Sequence, residues 1–478
     1  MVAARGLYAF RDRNPGARAD IDLPPAGSRP SLAALQVGFA RHKINPDLSN
    51  PSKPVWLAGF SQNRAATAIH DDLWAVATVL DDGVTRLGLV VIDAIGFFND
   101  DVFEVRRRLS PKSRIGYAVV CSTHNHSTPD LMGLWGPHPL KSGVNPDYRE
   151  QVIKTIVRTL EDAASNLQPT QFSAHEIALS PNGLVSDTRK PKVFDPNLRV
   201  LHFQNPTNQQ TIGSIVGWAN HPETVWSRNT EITSDFPGYL RDALESGIAD
   251  AKGKRMNGLG GIHLFVNGAV GGLMTTHPST VVRDPWQVLD YTEPTHEKTR
   301  AVGHTLAKHI LTRIASTNAP RLSAVPISVR ARTIHIPLDN PGFLIAPMIG
   351  LLDRGHEHWN HIRTEVALIS IGPVSMACIP GEIYPELVNG GVEKAPGGDF
   401  DIPPLEIPPI RELMPGSIKF ILGLANDEIG YIIPKSEWDH KPPFLYGANK
   451  APYGEVNSVG PEAAIMIHKT IRELAQPR

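Results

Sequence analysis

Four apolar runs of strand length each stop at residues that bind metals or move protons, and this recurrence restricts the chain more than any other feature does. YAVVCS runs into Thr123-His124-Asn125-His126, SIVGWA into Asn220-His221-Pro222-Glu223, VSMACIP into Gly381-Glu382, and ILGLANDEIG into Tyr431. Polar residues gathered where buried strands end are the usual setting of an active site in an α/β sheet. The pattern between these runs supplies the rest of such a fold. Trp74 to Leu80 and Leu87 to Asp93 are apolar runs around an Asp-Asp-Gly turn, which predicts a hairpin. Asn145-Pro146 caps a helix whose apolar positions Val152, Ile153, Ile156, Val157, Leu160 and Ala164 share one face. Further helices fit Tyr239 to Ile248, His296 to Ala315 and Pro461 to Leu474, and further buried strands fit Tyr117 to Ser122, Leu198 to Phe203, Gly213 to Ala219, Ile262 to Val266, Val366 to Ile371, Val374 to Ile379 and Ile418 to Leu424. A hairpin beside strand-helix crossovers predicts an α/β fold with mixed β-sheets flanked by helices.

Residues 1–34 are rich in Pro, Gly, Arg and Ala without apolar periodicity, and predict a flexible N-terminal extension on the surface. From residue 35 to 478 no short-period repeat, low-complexity block or linker interrupts the pattern, so one catalytic domain is the simplest reading. A formal net charge of -1 provides no basic footprint for nucleic acid or an anionic membrane, which leaves a small-molecule or lipid-like substrate. The first residues lack a secretory apolar core, and no later segment has the length of a transmembrane helix. A soluble chain is expected, cytoplasmic, or secreted or periplasmic if a signal was trimmed. Two cysteines, Cys121 and Cys378, cannot make a four-cysteine site, although they could form one disulfide. A bound metal would therefore use histidines and carboxylates.

Alternate residues of an extended segment point the same way, so His124 and His126 can face one cavity. Histidine with carboxylate suits a borderline cation such as Zn²⁺, and a catalytic site must leave one position for water. Each piece also has a plain structural reading: a hydrogen-bonded core histidine at His221, a turn at Pro380-Gly381-Glu382, and a core aromatic at Tyr431. Asp71, Asp72, Asp93 and Asp235 are candidates to orient the imidazoles, Asp235 first because it closely follows His221. His263, His277, His304 and His309 read as structural, and the cysteines as small hydrophobes.

Taken in order, LQVGFARHKINP, PVWLAGF, Ile69-His70-Asp71-Asp72-Leu73-Trp74-Ala75, VVIDAIGF, STHNHSTPD, NHPETV, TSDFPG, IPGEIYPEL and NDEIGYIIP resemble the catalytic domain of the neutral (non-lysosomal) ceramidase family over most of residues 35–465. The resemblance implies one catalytic Zn²⁺ held by His124, His221, Glu382 and Tyr431, with an activated water that cleaves an amide bond in a ceramide-like or smaller N-acyl compound. It implies that His126 faces the substrate and donates to the oxyanion, and that Glu382 or His126 carries a proton to the leaving amine. Tyr453 would be the second active-site tyrosine. Its spacing to the following Gly-Pro is one residue short, which keeps Tyr446 as a competitor. The departures bear on the substrate alone. The family's Gly-Asp-Val-Ser is absent near Asn267 to Met274, where this chain offers Gly or Met, and no immunoglobulin-like domain follows the last helix. A zinc esterase or lactonase on the same scaffold, and a non-catalytic metal-binding homologue, are the alternatives.

Overall fold

The computed structural model describes residues 12–25, 27, 33–249, 253, 255–272, 274–354 and 360–477. Three sheets turn one face each towards a common core. The first orders its strands Tyr117–Ser122, Arg86–Ile92, Trp74–Asp81, Gln36–Lys43 and Gln168–Pro169; the second Ile262–Asn267, Thr211–Trp218, Leu198–Gln204 and Gln171–Ile177; the third Ile21–Leu23, Ile327–Pro337, His361–Ile371, Val374–Cys378 and Ile418–Leu422. Phe39, Leu89 and Tyr117 of the first sheet meet Phe203, Ile215 and Leu264 of the second and Ile369, Met376 and Phe420 of the third. Each outer face is covered by helices: Pro146–Ser165 on the first, Asp235–Ser246 and His296–Ser316 on the second, and Ala463–Ala475 on the third. Each of these three sheets mixes parallel and antiparallel pairs, with Arg86–Ile92 parallel to Tyr117–Ser122, Thr211–Trp218 parallel to Ile262–Asn267, and Val374–Cys378 parallel to Ile418–Leu422. The α/β class with mixed sheets and flanking helices is the one the sequence predicts.

The helix Pro146–Ser165 illustrates how local sequence sets a boundary. Asn145 Oδ1 accepts from the backbone N–H of Asp147 at 3.0 Å and of Tyr148 at 3.3 Å, satisfying two donors that have no partner inside the helix. Asn145→Ala is expected to cost about 1 kcal/mol, read as a lower denaturant midpoint with an unchanged slope.

One sequence expectation changes here. Part of the segment expected to be flexible is strapped down: Ile21–Leu23 pairs antiparallel with Ile327–Pro337, Ala19 is buried, and Arg13 bonds to Asp101 at 2.8 Å. Backbone pairing and ion pairs hold it, and neither leaves an apolar period in the sequence. Residues 1–11 lie outside the described residues. The two cysteines behave as the small hydrophobes they were read as, both free and buried in the common core.

Buried ion pairs tie the sheets together beneath the strand ends. Glu365 of the third sheet receives two bonds from Arg106, at 2.7 and 2.9 Å, together with the Tyr117 hydroxyl and Asn426 Nδ2. Asp93, at the end of the first sheet, receives Arg241 of the helix Asp235–Ser246 at 3.0 and 2.7 Å. No described helix is long and apolar enough to cross a membrane.

Candidate active site

The four strand exits singled out by sequence converge. His124 follows Tyr117–Ser122, His221 follows Thr211–Trp218, and Glu382 and Tyr431 lie beyond Val374–Cys378 and Ile418–Leu422. Glu382 and Tyr431 are register partners in a short parallel ladder, so both leave the third sheet side by side. The Thr-His-Asn-His segment is not extended as expected. His124 has a φ of +67°, and this left-handed kink removes the alternation that would have aligned the two imidazoles. Both reach one cavity nevertheless, with ring centroids 5.0 Å apart and planes at 83°. Asn125 pins the loop between them, donating to Thr233 O at 2.8 Å and accepting from Ser127 N–H at 2.8 Å. His126 N–H donates to Pro222 O at 3.1 Å, which joins this loop to the one carrying His221.

Backbone carbonyls orient the imidazoles. His124 Nδ1 lies 2.7 Å from Ile95 O, and His221 Nδ1 lies 2.8 Å from Met274 O. A carbonyl only accepts, so each Nδ1 carries the proton and each Nε2 presents its lone pair. Glu382 Oε2 sits 3.0 Å from His221 Nε2 and 3.3 Å from His124 Nε2. Three electron-pair donors thus meet in a buried spot, and without a shared positive charge they would repel. A cation is what this donor set fits, and the ring nitrogens of His124, His126 and His221 also lie within 4.8 Å of one another. Burial would raise the Glu382 carboxyl, but His124 and His221 outweigh it and hold the group below the usual carboxylate range. Where a proton takes the ion's place on His221 Nε2, its bond to Glu382 raises the His221 pKa despite burial.

The four aspartates proposed as orienting groups have other partners. Asp93 takes Arg241, Asp72 takes Asn45 and Lys43, and Asp71 receives Thr233, Ser234 and His70. Asp235 accepts backbone N–H groups from Thr224 at 2.9 Å and Phe236 at 2.7 Å. Closeness in sequence misled here, because the carbonyls of Ile95 and Met274 take the role and have no side-chain signature.

An apolar pocket of roughly 800 Å³, part of it open to solvent, leads to these groups. Phe60, Ile95, Phe98, Met132, Trp135 and Phe343 are among its walls, and His124, His126, Glu382, Tyr431 and Tyr453 also line it. Neither ring nitrogen of His126 has a hydrogen-bond partner, although Nδ1 lies 3.1 Å from Glu223 Oε2. Burial first, and then the neighbouring imidazoles, lower its pKa well below the ordinary value and keep it neutral. Gly59, at φ +78°, passes close to this ring, where a Cβ would come within 2.5 Å of His126 Nδ1. Tyr453 stands at the mouth, more than half exposed, its ring centroid 5.9 Å from that of Tyr431. Tyr446 bonds to Glu393 and lies beneath Lys190, with no side chain in the pocket wall.

Sequence reasoning missed two carboxylates. Glu223, seen only as part of the His-Pro segment, lies against His126. Glu428 reaches the pocket wall with Oε1 accepting from Gly430 N–H at 2.8 Å and Oε2 buried without a partner. Burial, and then Glu382, raise its pKa well above the ordinary carboxyl value. Gly271, in the stretch that lacks Gly-Asp-Val-Ser, has no room for a side chain, since a Cβ would stand 2.2 Å from Glu382 O. His263 behaves as read, buried and bonded to Ser214 at 2.8 Å.

No family model matches the sequence, and no curated protein does. Solved structures do match. A neutral ceramidase from Pseudomonas aeruginosa aligns with a TM-score of 0.67 at 17% identity, covering 93% of this chain and 74% of that one. A structure described as ceramidase complexed with C2 aligns with a TM-score of 0.67 at 16% identity, covering 93% and 75%. The chain therefore has a neutral ceramidase-like fold, and its residues include groups able to hold a metal ion.

Proposed function

We propose that this protein is a zinc-dependent hydrolase that cleaves the amide bond of an N-acyl compound, ceramide-like or smaller, with His124, His221, Glu382 and Tyr431 holding the ion. One observation carries the reading: the lone pairs of two imidazoles meet a buried carboxylate at an apolar pocket, in a fold shared with neutral ceramidases. When bound, the ion supplies Lewis acidity and a water ionised near neutral pH. The chain's own groups do the rest. The apolar walls take the acyl chain and exclude bulk water from the carbonyl, which strengthens every polar contact made there. His126, neutral and without a partner, donates to the oxygen that becomes negative, and Tyr453 reaches the same space from the mouth.

A leaving amine must be protonated. Glu382 Oε2 is already shared by two imidazoles, so His126 beside Glu223, held neutral, is the better relay, passing to the amine the proton it takes from the attacking water, and Glu382 is the second choice. Glu428, with its free buried Oε2, is placed to bond a polar group of the substrate. The space for a contact at residue 271 is filled by the backbone of Glu382.

An N-acyl amide series run beside matched esters tests the reaction and the pocket together. Each methylene that enters the pocket is expected to raise kcat/KM by roughly fourfold, about 0.8 kcal/mol, until the apolar walls are filled. Exclusive ester turnover would replace the amidase reading by an esterase or lactonase one. Metal binding with turnover of neither class would leave a non-catalytic metal protein.

A further inference from the structure

The His70-Asp71 segment, singled out in sequence, has no part in the site above. It belongs to a second cluster on the outer side of the Thr-His-Asn-His loop. Ala68–Ile69 pairs parallel with Glu231–Ile232, and the N-terminus of the helix His296–Ser316 brings His296 against this ladder. The His70 and His296 rings are stacked, with centroids 3.5 Å apart and planes 1° from parallel. Two imidazoles this close cannot both carry a proton without strong repulsion, whereas one divalent cation can serve both.

We propose that His70, Asp71 and His296 form a second metal site, for a divalent transition ion of the zinc class. Their ligand atoms lie within 4.8 Å of one another. The stacked rings hold their in-plane lone pairs parallel, so one ring must turn for both to reach an ion, but the atoms around them are otherwise set. His296 Nε2 lies 3.2 Å from Glu231 Oε2; a proton there, donated to the carboxylate, leaves Nδ1 as the lone-pair atom, and Nδ1 is buried without any partner. Asp71 is fixed by Ser234 N–H and Oγ on Oδ1, both at 2.6 Å, and by Thr233 Oγ1 on Oδ2 at 2.6 Å, the atom that His70 Nδ1 faces at 2.8 Å. The positive end of the helix opposes a cation here, and the Asp71 and Glu231 carboxylates offset it. His70, Asp71 and His296 side chains are 34%, 29% and 22% exposed, so an ion can enter from solvent. Two imidazoles and a carboxylate exclude hard ions such as calcium and favour zinc, cobalt or nickel. The site also borders the catalytic loop, since Thr233, which bonds Asp71, accepts from Asn125 between the two active-site histidines.

Zinc titrated into the metal-stripped full-length chain tests this without reference to catalysis, with equivalents counted by elemental analysis after gel filtration. Wild type is expected to hold two equivalents. His296→Ala and His70→Phe are each expected to hold one, and His70→Phe keeps the ring stack, so its melting temperature should stay near that of wild type. Turnover per remaining equivalent should be preserved in both. Variants that bind as much zinc as wild type, or a wild type whose single equivalent survives His70→Phe, would overturn the proposal. A single wild-type equivalent lost in His70→Phe would support this site and refute the catalytic one.

Discussion

Glu382→Ala is expected to release the ion held at the catalytic site and to lower turnover by more than about a thousandfold, beyond the 10²–10³ lost with one electrostatic donor. Glu382 is buried, and its Oε2 is the negative charge that both Nε2 lone pairs face, at 3.0 and 3.3 Å. Without it, two neutral imidazoles remain, and a divalent ion would enter a buried site with no charge to balance it. That is costly. Glu382→Gln separates charge from shape: if charge dominates, it too loses metal, although the side chain still fits beside the Tyr431 ladder. Elemental analysis and turnover on the same preparations decide the matter. An alanine variant that keeps the equivalent left in place by His70→Phe would refute the ligand set.

What the sequence made legible follows from physics that is local. A buried strand announces itself by a short apolar run, so Tyr117–Ser122 is matched residue for residue, and Thr211–Trp218 and Val374–Cys378 to within two residues at either end. The polar residues that stop those runs lie at the site because strand ends converge there. Strands with alternating or polar composition escaped the same reasoning. Ile327–Pro337 alternates buried and half-buried positions over most of its eleven residues with two arginines and a histidine, and Gln36–Lys43 carries polar residues at both ends. The strap at Ile21–Leu23 escaped because backbone bonds hold it. Within the site, side-chain ligands could be read and their orienting partners could not, since a carbonyl looks the same at every residue. Glu428 was hidden for another reason. Its role comes from a turn held by left-handed Leu424 and Asn426, which aims into the pocket a carboxylate that sequence alone would place in solvent.

His126→Ala should retain the catalytic ion and lose roughly 10²–10³ in turnover, the effect of removing one oxyanion donor. The ring has no structural bond to lose. Both nitrogens lack hydrogen-bond partners, while the loop is held by the His126 N–H on Pro222 O and by Asn125 on Thr233 O and Ser127 N–H. Alanine leaves those backbone and asparagine contacts in place, so the defect should be chemical and the fold intact. If the imidazole acts only on the developing charge, kcat and kcat/KM fall together and KM stays unchanged. The rival arrangement gives a different result. The ring nitrogens of His126, His124 and His221 lie within 4.8 Å, so a three-imidazole ligand set is geometrically available. Under that set His126→Ala would lose metal as well as rate, and Glu382→Ala would leave three ligands in place. The two variants therefore have opposite metal contents under the two arrangements, and measuring both assigns His126 either to the ion or to the substrate.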